Sequence, residues 1–413
     1  MKTGVVAFSG GLDTSFLVPF ARDQYGVERI ITCAVDTGGF DAKEKARIAA
    51  RSKEVGADGH VLVEASRAYY AQILRYLIFG NVTRDGYPLC VGAERLIQAH
   101  ECLLVAKENG ADAFFHGSTG AGNDQYRFDV AAQVLGQASG KGAGDNASIQ
   151  CVAPVREHGI TRERSTAFLK ERGVEVQAKN TNYSYNVGLW GVSIGGKETL
   201  TSEGLIPDDV WYSQPDPAAT SATIKISFEK GELVALSAKE RSLTDPVEII
   251  RELTKIGNAF GLGRHYHVGT SVPGKKGRLA YESPAADLIY AAHSTLEKHV
   301  LTQSQIAAKK PLAEEFGRLI HEAKVFEPLL QDIKAFLESS QSRVTGTSTL
   351  HLAPGRITAV TAKTPFDLLG AGGAVYGETA EAYSGVDAAG AARLHGFEQA
   401  LYASLAPDDG GDD

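Results

Sequence analysis

The sequence predicts an α/β protein: an N-terminal parallel sheet with helices on both faces, followed by an α+β domain. Three observations predict it. Short apolar runs alternate with helical segments up to about residue 172, the order expected of a parallel sheet covered on both sides. Beyond about residue 175, period-two strands in hairpins and long helices replace that alternation. A glycine-rich turn directly follows the first apolar run and opens a helix, and open α/β sheets bind ligands beyond the carboxyl ends of such strands.

Residues 4–8 are the first strand candidate, and Pro19 is predicted to kink the helix that follows. Residues 29–35 read as the second strand, and residues 42–55 as a helix stopped by Gly56. Residues 60–63 are a third strand candidate. Leu96, Ala99, Leu103 and Ala106 fall on one helical face that ends at Asn109-Gly110. Residues 113–116 and 149–155 are further apolar runs, and residues 161–172 form a helix closed by Gly173. In the second half, residues 223–228 and 233–236 alternate as a hairpin around Glu229-Lys230-Gly231, and residues 347–352 and 357–360 do so around Pro354-Gly355. Helices are predicted over 246–260, over 284–300 with Ser283 as N-cap, and over about 312–337. The Gly-rich stretches 139–146 and 370–373 read as loops.

With 413 residues, the chain is long enough for two or three domains. The predicted boundaries are 1–172, 173–385 and 386–413, the last holding a helix over 387–405 and an acidic, disordered end at 408–413. Apolar residues make up 43% and charged residues 22%, with a net charge of −8 and no Lys/Arg run, which disfavours a nucleic-acid partner. Cys33, Cys90, Cys102 and Cys151 form no CxxC pair, so neither a zinc knuckle nor a redox motif is implied. No signal peptide and no apolar run of about 18 residues is seen, so no membrane span is expected and cytoplasm is the default location.

The strongest chemical signal is Ala7-Phe8-Ser9-Gly10-Gly11-Leu12-Asp13-Thr14-Ser15. Gly10 and Gly11 let backbone approach a phosphate, and successive N–H groups at a helix start make an anion cradle. The Ser9, Thr14 and Ser15 hydroxyls add donors. Asp13, an anion, reads as a magnesium anchor or a loop brace. The spacing matches neither a Walker A loop nor a GxGxxG dinucleotide turn. A second Gly-rich loop follows the strand at 113–116. Thr119, Asn123, Asp124 and Arg127 there supply hydroxyl, amide, carboxylate and guanidinium within nine residues. That mixture suits an amino acid, whose carboxylate is met by donors and whose ammonium is met by Asp. Asp36, at a strand end, faces ligand or caps the next helix. His116 reads as a structural hydrogen-bonder.

The first loop resembles the pyrophosphate-binding SGG-x-D-[ST]-S motif of the N-type ATP pyrophosphatases, which activate an oxygen as an adenylate and release pyrophosphate. His116-Gly117-Ser118-Thr119-Gly120-Ala121-Gly122-Asn123-Asp124-Gln125-Tyr126-Arg127-Phe128 is similar to the HG-[AS]-TGxGNDQxRF block of argininosuccinate synthases. The segments 182–194, 261–264, 281–284 and 344–347 also fall in that family's order, and the resemblance runs from about residue 3 to about 397. It implies an adenine-nucleotide alpha-hydrolase-like N-terminal fold, a synthetase and oligomerisation domain, and a homotetramer. It also implies ATP, Mg²⁺, citrulline and aspartate as ligands. On it, Ala7, Phe8, Ser9, Gly10, Gly11, Leu12, Asp13, Thr14, Ser15, Val35 and Gly117 hold ATP, with Asp13 as the magnesium candidate. Thr119, Asn123 and Asp124 hold aspartate, while Tyr87, Asn123, Arg127, Ser184, Ser193 and Tyr281 hold citrulline.

Two positions depart from the family pattern. Gly92 stands where a Ser or Thr is common, and Gly269 where a Glu is expected. A lost carboxylate leaves a substrate ammonium without its partner, which costs several kcal/mol when buried. Those two glycines keep a second substrate class open: the same adenylating chemistry on another ureido or amide compound.

Overall fold

The computed structural model describes residues 1–136, 148–176, 182–238, 241–371, 377 and 381–405. The predicted loop at 139–146, Gly372 and Gly373 of the predicted 370–373 loop, and the acidic end at 408–413 lie outside the described residues. Two compact units are formed, Met1–Pro365 and Phe366–Asp413.

The first unit begins with strands β1 (Thr3–Ala7), β2 (Arg29–Asp36) and β3 (Gly59–Glu64), alternating with helices α1 (Leu12–Tyr25) and α2 (Ala42–Glu54). A short helix α3 (Ser66–Tyr69), a π-helical turn (Tyr70–Leu74) and α4 (Arg75–Gly80) lead to the long α5 (Cys90–Glu108). Then come β4 (Ala113–Phe115), α6 (Asp124–Leu135), β5 (Gln150–Val152), α7 (Pro154–Glu157) and α8 (Arg162–Lys170). The five strands pair in parallel in the order β3-β2-β1-β4-β5. Val5, Val6, Ile30, Phe114 and Phe115 are fully or almost fully buried, as expected of strands covered on both faces. The chain leaves β1 toward β2 on one side and β4 toward β5 on the other, so the sheet's switch point lies between β1 and β4.

Helix α1 continues past Pro19 to Tyr25; burial of Phe16, Leu17, Val18, Phe20 and Ala21 holds it together across the missing hydrogen bond. One prediction for this half is corrected. The apolar run 149–155 gives only the short β5, because Pro154 occupies the first position of α7.

The rest of the first unit carries two antiparallel sheets. One runs β10-β9-β8-β13-β14, from β8 (Ala222–Glu229), β9 (Glu232–Ala238), β10 (Arg241–Leu243), β13 (Gly346–Ala353) and β14 (Arg356–Lys363). Its β8–β9 and β13–β14 hairpins are the predicted ones. The other runs β11-β12-β7-β6, from β6 (Tyr183–Gly188), β7 (Gly191–Gly196), β11 (Arg264–Thr270) and β12 (Lys276–Glu282). Glycine-rich and broken by polar residues, these four strands lack the alternation that makes strands legible. Helices α9 (Pro246–Ala259), α10 (Pro284–Val300), α11 (Gln303–His321) and α12 (Pro328–Ser340) complete the unit.

The single helix predicted over 312–337 is two helices. Ala323 takes a left-handed conformation (φ 62°) after α11, and Pro328 opens α12. Ser283 does precede α10, but its hydroxyl is buried without a hydrogen-bond partner and does not cap the helix. Helix α5 is the hinge of the architecture in the packing sense: it lies against β1 and β2 of the parallel sheet and also against β6 and β7.

The second unit holds α13 (Leu368–Ala371) and α14 (Gly385–Ser404). Gly370, predicted to be loop, is therefore helical. Helix α14 starts with a capping box at Ser384 and Asp387 and exposes Leu394, Phe397, Leu401 and Tyr402.

Candidate active site

The turn after β1 is shaped by two opposed sets of contacts. Arg47 of α2 donates to the carbonyls of Gly10 (3.1 Å) and Ser9 (3.2 Å), while its guanidinium is held by Glu44. Gly10 has φ 68°, a left-handed conformation that side chains resist. With those carbonyls turned to Arg47, the first N–H groups of α1 remain without helical partners, as at every helix start. Ser9 and Thr14 brace the turn through their hydroxyls, 3.3 Å apart, and Ser15 is tied to Arg51 at 2.9 Å. The result is a cradle of N–H groups at a helix N-terminus, with that of Ser9 turned to Thr14 Oγ1, that of Gly11 to Ser9 Oγ and that of Ser15 already bonded to the Gly11 carbonyl; such a helix start is the arrangement that receives phosphate.

The loop after β4 meets this cradle across the switch point. A Cβ on Gly117 would lie 3.4 Å from Asp13 Cβ and 3.6 Å from Thr14 Cγ2. Burial pushes the Asp13 carboxyl above its ordinary value, with Arg162 opposing. A hard cation beside it would relieve that penalty, so its single carboxylate fits a magnesium-anchoring role. Phe8 and Val35 are buried at 4% and 5% exposure, and the Phe8 N–H is bonded to the Cys33 carbonyl of β2.

Asp36 does not cap the next helix. It accepts from the Gly38 and Phe40 N–H groups and pairs with Lys45 at 2.8 Å, while Asp41 caps α2. It braces the β2 loop. His116 is structural, as expected: Nδ1 accepts from Ser118 N–H, and Nε2 lies 2.9 Å from Asp129. Asp129 also pairs with Arg156, which bonds Gln125, and Gln125 donates to the Gly120 and Gly122 carbonyls. This chain of side chains fixes the second loop from behind. His116, Asp129 and Cys151 come within metal-ligating distance of one another, but Arg156 already neutralises Asp129 and burial pushes the Cys151 thiol up.

The remaining residues converge on one face of the β11-β12-β7-β6 sheet. Ser193 pairs with Asn186 on one side and Tyr281 on the other, and Tyr281 pairs with His265. Directly opposed residues and their i±2 neighbours share a face, so Ser184, Asn186, Ser193, Tyr281, His267 and Gly269 stand together. Tyr87 docks on this face. Its ring stacks on His267 and meets Tyr281 edge-on, with centroids 4.9 Å apart in both cases. Asn123 reaches the turn between β11 and β12: its Oδ1 accepts from Val272 N–H at 2.8 Å. Ser184 and Thr119 are exposed and make no tie to the cluster in this conformation.

Arg127, 4% exposed, is not a surface salt bridge. It donates to Asp124 (2.7 Å) and to the His321 carbonyl (3.2 Å). The two glycine departures are filled by neighbours. A Cβ on Gly92 would lie 3.0 Å from the Arg127 guanidinium, and one on Gly269 would lie 2.4 Å from His267 Nε2. A guanidinium and an imidazole thus occupy the space where larger side chains would stand. Burial, together with Arg84 and Arg127, pushes His321 down to about 4, so the imidazole behind Arg127 is neutral.

Several residues of this centre carry no sequence signal of their own. Arg47, Glu94, Arg95, Asn186, His267 and His321 lie within helices and strands and belong to no motif. Only Arg95, eight residues beyond Tyr87 and on the second turn of α5, has a spacing that could have drawn notice.

An open parallel sheet with glycine loops meeting at its switch point, followed by a domain of antiparallel sheets, is the architecture of a HUP-type nucleotide-binding protein. Residues 3–175 match the family model "Arginosuccinate synthase N-terminal HUP domain", and residues 183–402 match "Arginosuccinate synthase C-terminal domain". The chain belongs to the argininosuccinate synthase family. It is 36% identical to the argininosuccinate synthase of Xanthomonas campestris, over 98% of this chain and 99% of that one. It is 33% identical to that of Methanopyrus kandleri (97% and 98% covered) and 30% identical to that of Methanocaldococcus jannaschii (97% and 98%). Among the described residues, no helix is long and apolar enough to cross a membrane.

Proposed function

We propose that this chain condenses citrulline with aspartate to argininosuccinate, converting ATP to AMP and pyrophosphate in arginine biosynthesis. The observation that carries the reading is the contact of the Gly117 loop with Asp13 and Thr14, which sets an amino-acid-type site beside a phosphate cradle. ATP spans the two loops. The ureido oxygen of citrulline attacks the α-phosphorus, and the bond to the departing pyrophosphate breaks. Fixed N–H donors of residues 10–14 stabilise its developing charge. The amine of aspartate, held by Thr119, Asn123 and Asp124, then adds to the activated carbon, and AMP leaves with the bond electrons. Positioning and electrostatics supply the rate, and no side chain becomes covalent. Mg²⁺ held at Asp13 would neutralise phosphate charge.

Citrulline is met by Tyr87, Asn123, Arg127, Ser184, Ser193 and Tyr281. In this reading residues 1–172 bind nucleotide, residues 173–385 form the synthetase domain, and the helix of 386–413 serves self-association in a cytoplasmic homotetramer. The exposed apolar residues of α14 support that assembly, and sedimentation of the purified chain tests it. Citrulline-dependent release of pyrophosphate from ATP tests the reaction. We expect release to require citrulline and AMP to accumulate only when aspartate is added. Release without citrulline, or with another ureido compound in its stead, contradicts the reading.

A further inference from the structure

Arg95 lies on the second turn of α5 with only 16% of its side chain exposed. Its guanidinium is bonded in four directions at once. Nε donates to Asp124 Oδ2 (3.3 Å), one terminal nitrogen to Glu94 Oε1 (3.1 Å) and Gln98 Oε1 (2.7 Å), and the other to Asn186 Oδ1 (2.6 Å). Asn186 in turn donates to Ser193 Oγ at 3.3 Å, and Ser193 is the register partner of Tyr281. On the opposite side, Arg127 holds the other oxygen of Asp124. Charge therefore alternates along Glu94, Arg95, Asp124 and Arg127, drawn from α5 and α6.

A guanidinium is the group suited to this task. Its planar fork presents five donors in fixed directions, which an ammonium cannot do. The two arginines grip Asp124 from both flanks, yet its side chain stays 38% exposed, so the carboxylate is aimed and still reachable. Burial alone would push the Asp124 carboxyl up; Arg95 and Arg127 outweigh it and hold it below its ordinary value, ionised.

We propose that Arg95 is a positioning residue that aims the Asp124 carboxylate at the ammonium of the amino-acid substrate and, through Asn186 and Ser193, ties that site to the ureido-substrate face. The inference rests on the reading of the site given above. It predicts that the two amino-acid subsites are coupled through one side chain, while the phosphate cradle is independent of it.

Steady-state kinetics of Arg95→Lys and Arg95→Met test it, alongside citrulline-dependent ATP–pyrophosphate exchange, which needs no aspartate. Losing one hydrogen bond to a charged group corresponds to about tenfold, so Arg95→Lys should raise the KM for aspartate by about that factor. The KM for ATP should stay within about twofold, and exchange should persist. In Arg95→Met the acid limb of kcat/KM for aspartate should move to higher pH, because Asp124 has lost one of its two cations; Arg95→Lys should restore the limb. An unchanged aspartate KM in the folded variants, or an equal loss for all three substrates with a lowered melting temperature, overturns the proposal. Should Arg95→Met fail to fold, Asn186→Ala carries the test: citrulline KM should rise and aspartate KM should rise with it to a smaller extent, and a change confined to one of the two, or none, contradicts the coupling. Wild-type exchange with citrulline reports on the underlying reading separately. If the wild type is inactive, that reading fails; if it is active and the variants match it, only the role of Arg95 does.

Discussion

The phosphate cradle and the amino-acid site lie close together and are built by opposite means. The cradle is nine consecutive residues whose working groups are backbone N–H donors, with side chains such as Arg47 serving to turn carbonyls away. The amino-acid site gathers side chains from residues 87 to 321, aligned by strand register and by α5. The first is specified by local conformation and tolerates little change at its glycines. The second is specified by tertiary packing, so its residues can be exchanged if neighbours refill the space, as Arg127 and His267 do beside Gly92 and Gly269.

That contrast is broken most severely at Gly10. A valine there must adopt φ 68° with its Cβ 3.3 Å from the Arg47 guanidinium, so the cradle should lose its shape. Removing a comparable set of oriented donors lowers rates by about 10² to 10³, and we expect Gly10→Val to lose pyrophosphate release by that factor. A fluorescent citrulline-site probe should still bind. Pyrophosphate release within about threefold of wild type would show that the cradle is not backbone-built.

Arg127→Met tests the other region. Hydrogen bonds to charged groups are worth about 1.5–3 kcal/mol, so kcat/KM for citrulline should fall between about 10- and 100-fold with ATP affinity intact. An ATP defect of equal size would mean that the two regions are not separable. His267→Ala should be milder. It removes a ring stacked on Tyr87, and such pairs are worth about 0.5–1.5 kcal/mol, so citrulline KM should rise by about 3- to 10-fold.

The reading of the sequence divided along the same line. The loop of residues 9–15, the Gly117 block and the parallel strands were legible because each is contiguous and strand, turn and helix follow in order. The strands β6, β7, β11 and β12 were not, since short glycine-rich segments form a sheet only by pairing with one another. Only the family resemblance singles out Ser193 and Tyr281 in the sequence; that they face each other across a register pair is a fact of the sheet. Asn186 and Arg95, which join them to Asp124, are ordinary polar residues until the chain folds. Pro19 and Ser283 show local rules overridden: α1 continues past a proline, and a good capping residue goes unused.

The smallest expected effect concerns the back of the second loop. Burial pushes Asp129 up, but His116 and Arg156 outweigh it and hold its carboxyl at about 2, below the ordinary 3.8. A carboxyl lowered on folding stabilises above its unfolded value and ceases to do so as pH falls through about 2. Its side chain is 35% exposed, so after solvent screening the contribution is about 1 kcal/mol. Melting temperatures of Asp129→Asn should lie slightly below wild type at neutral pH and converge with it near the acid end. A gap that persists at low pH would assign the loss to packing instead.

The measurement that bears most directly on the whole account is a crystal structure of the chain with a non-hydrolysable ATP analogue and Mg²⁺. The β- and γ-phosphate oxygens should lie about 2.7–3.2 Å from the N–H groups of residues 10–14, with the α-phosphorus turned toward the Tyr87 and Tyr281 face and the metal beside Asp13. A nucleotide bound with its phosphates away from that turn, leaving the N–H groups to solvent, would contradict it.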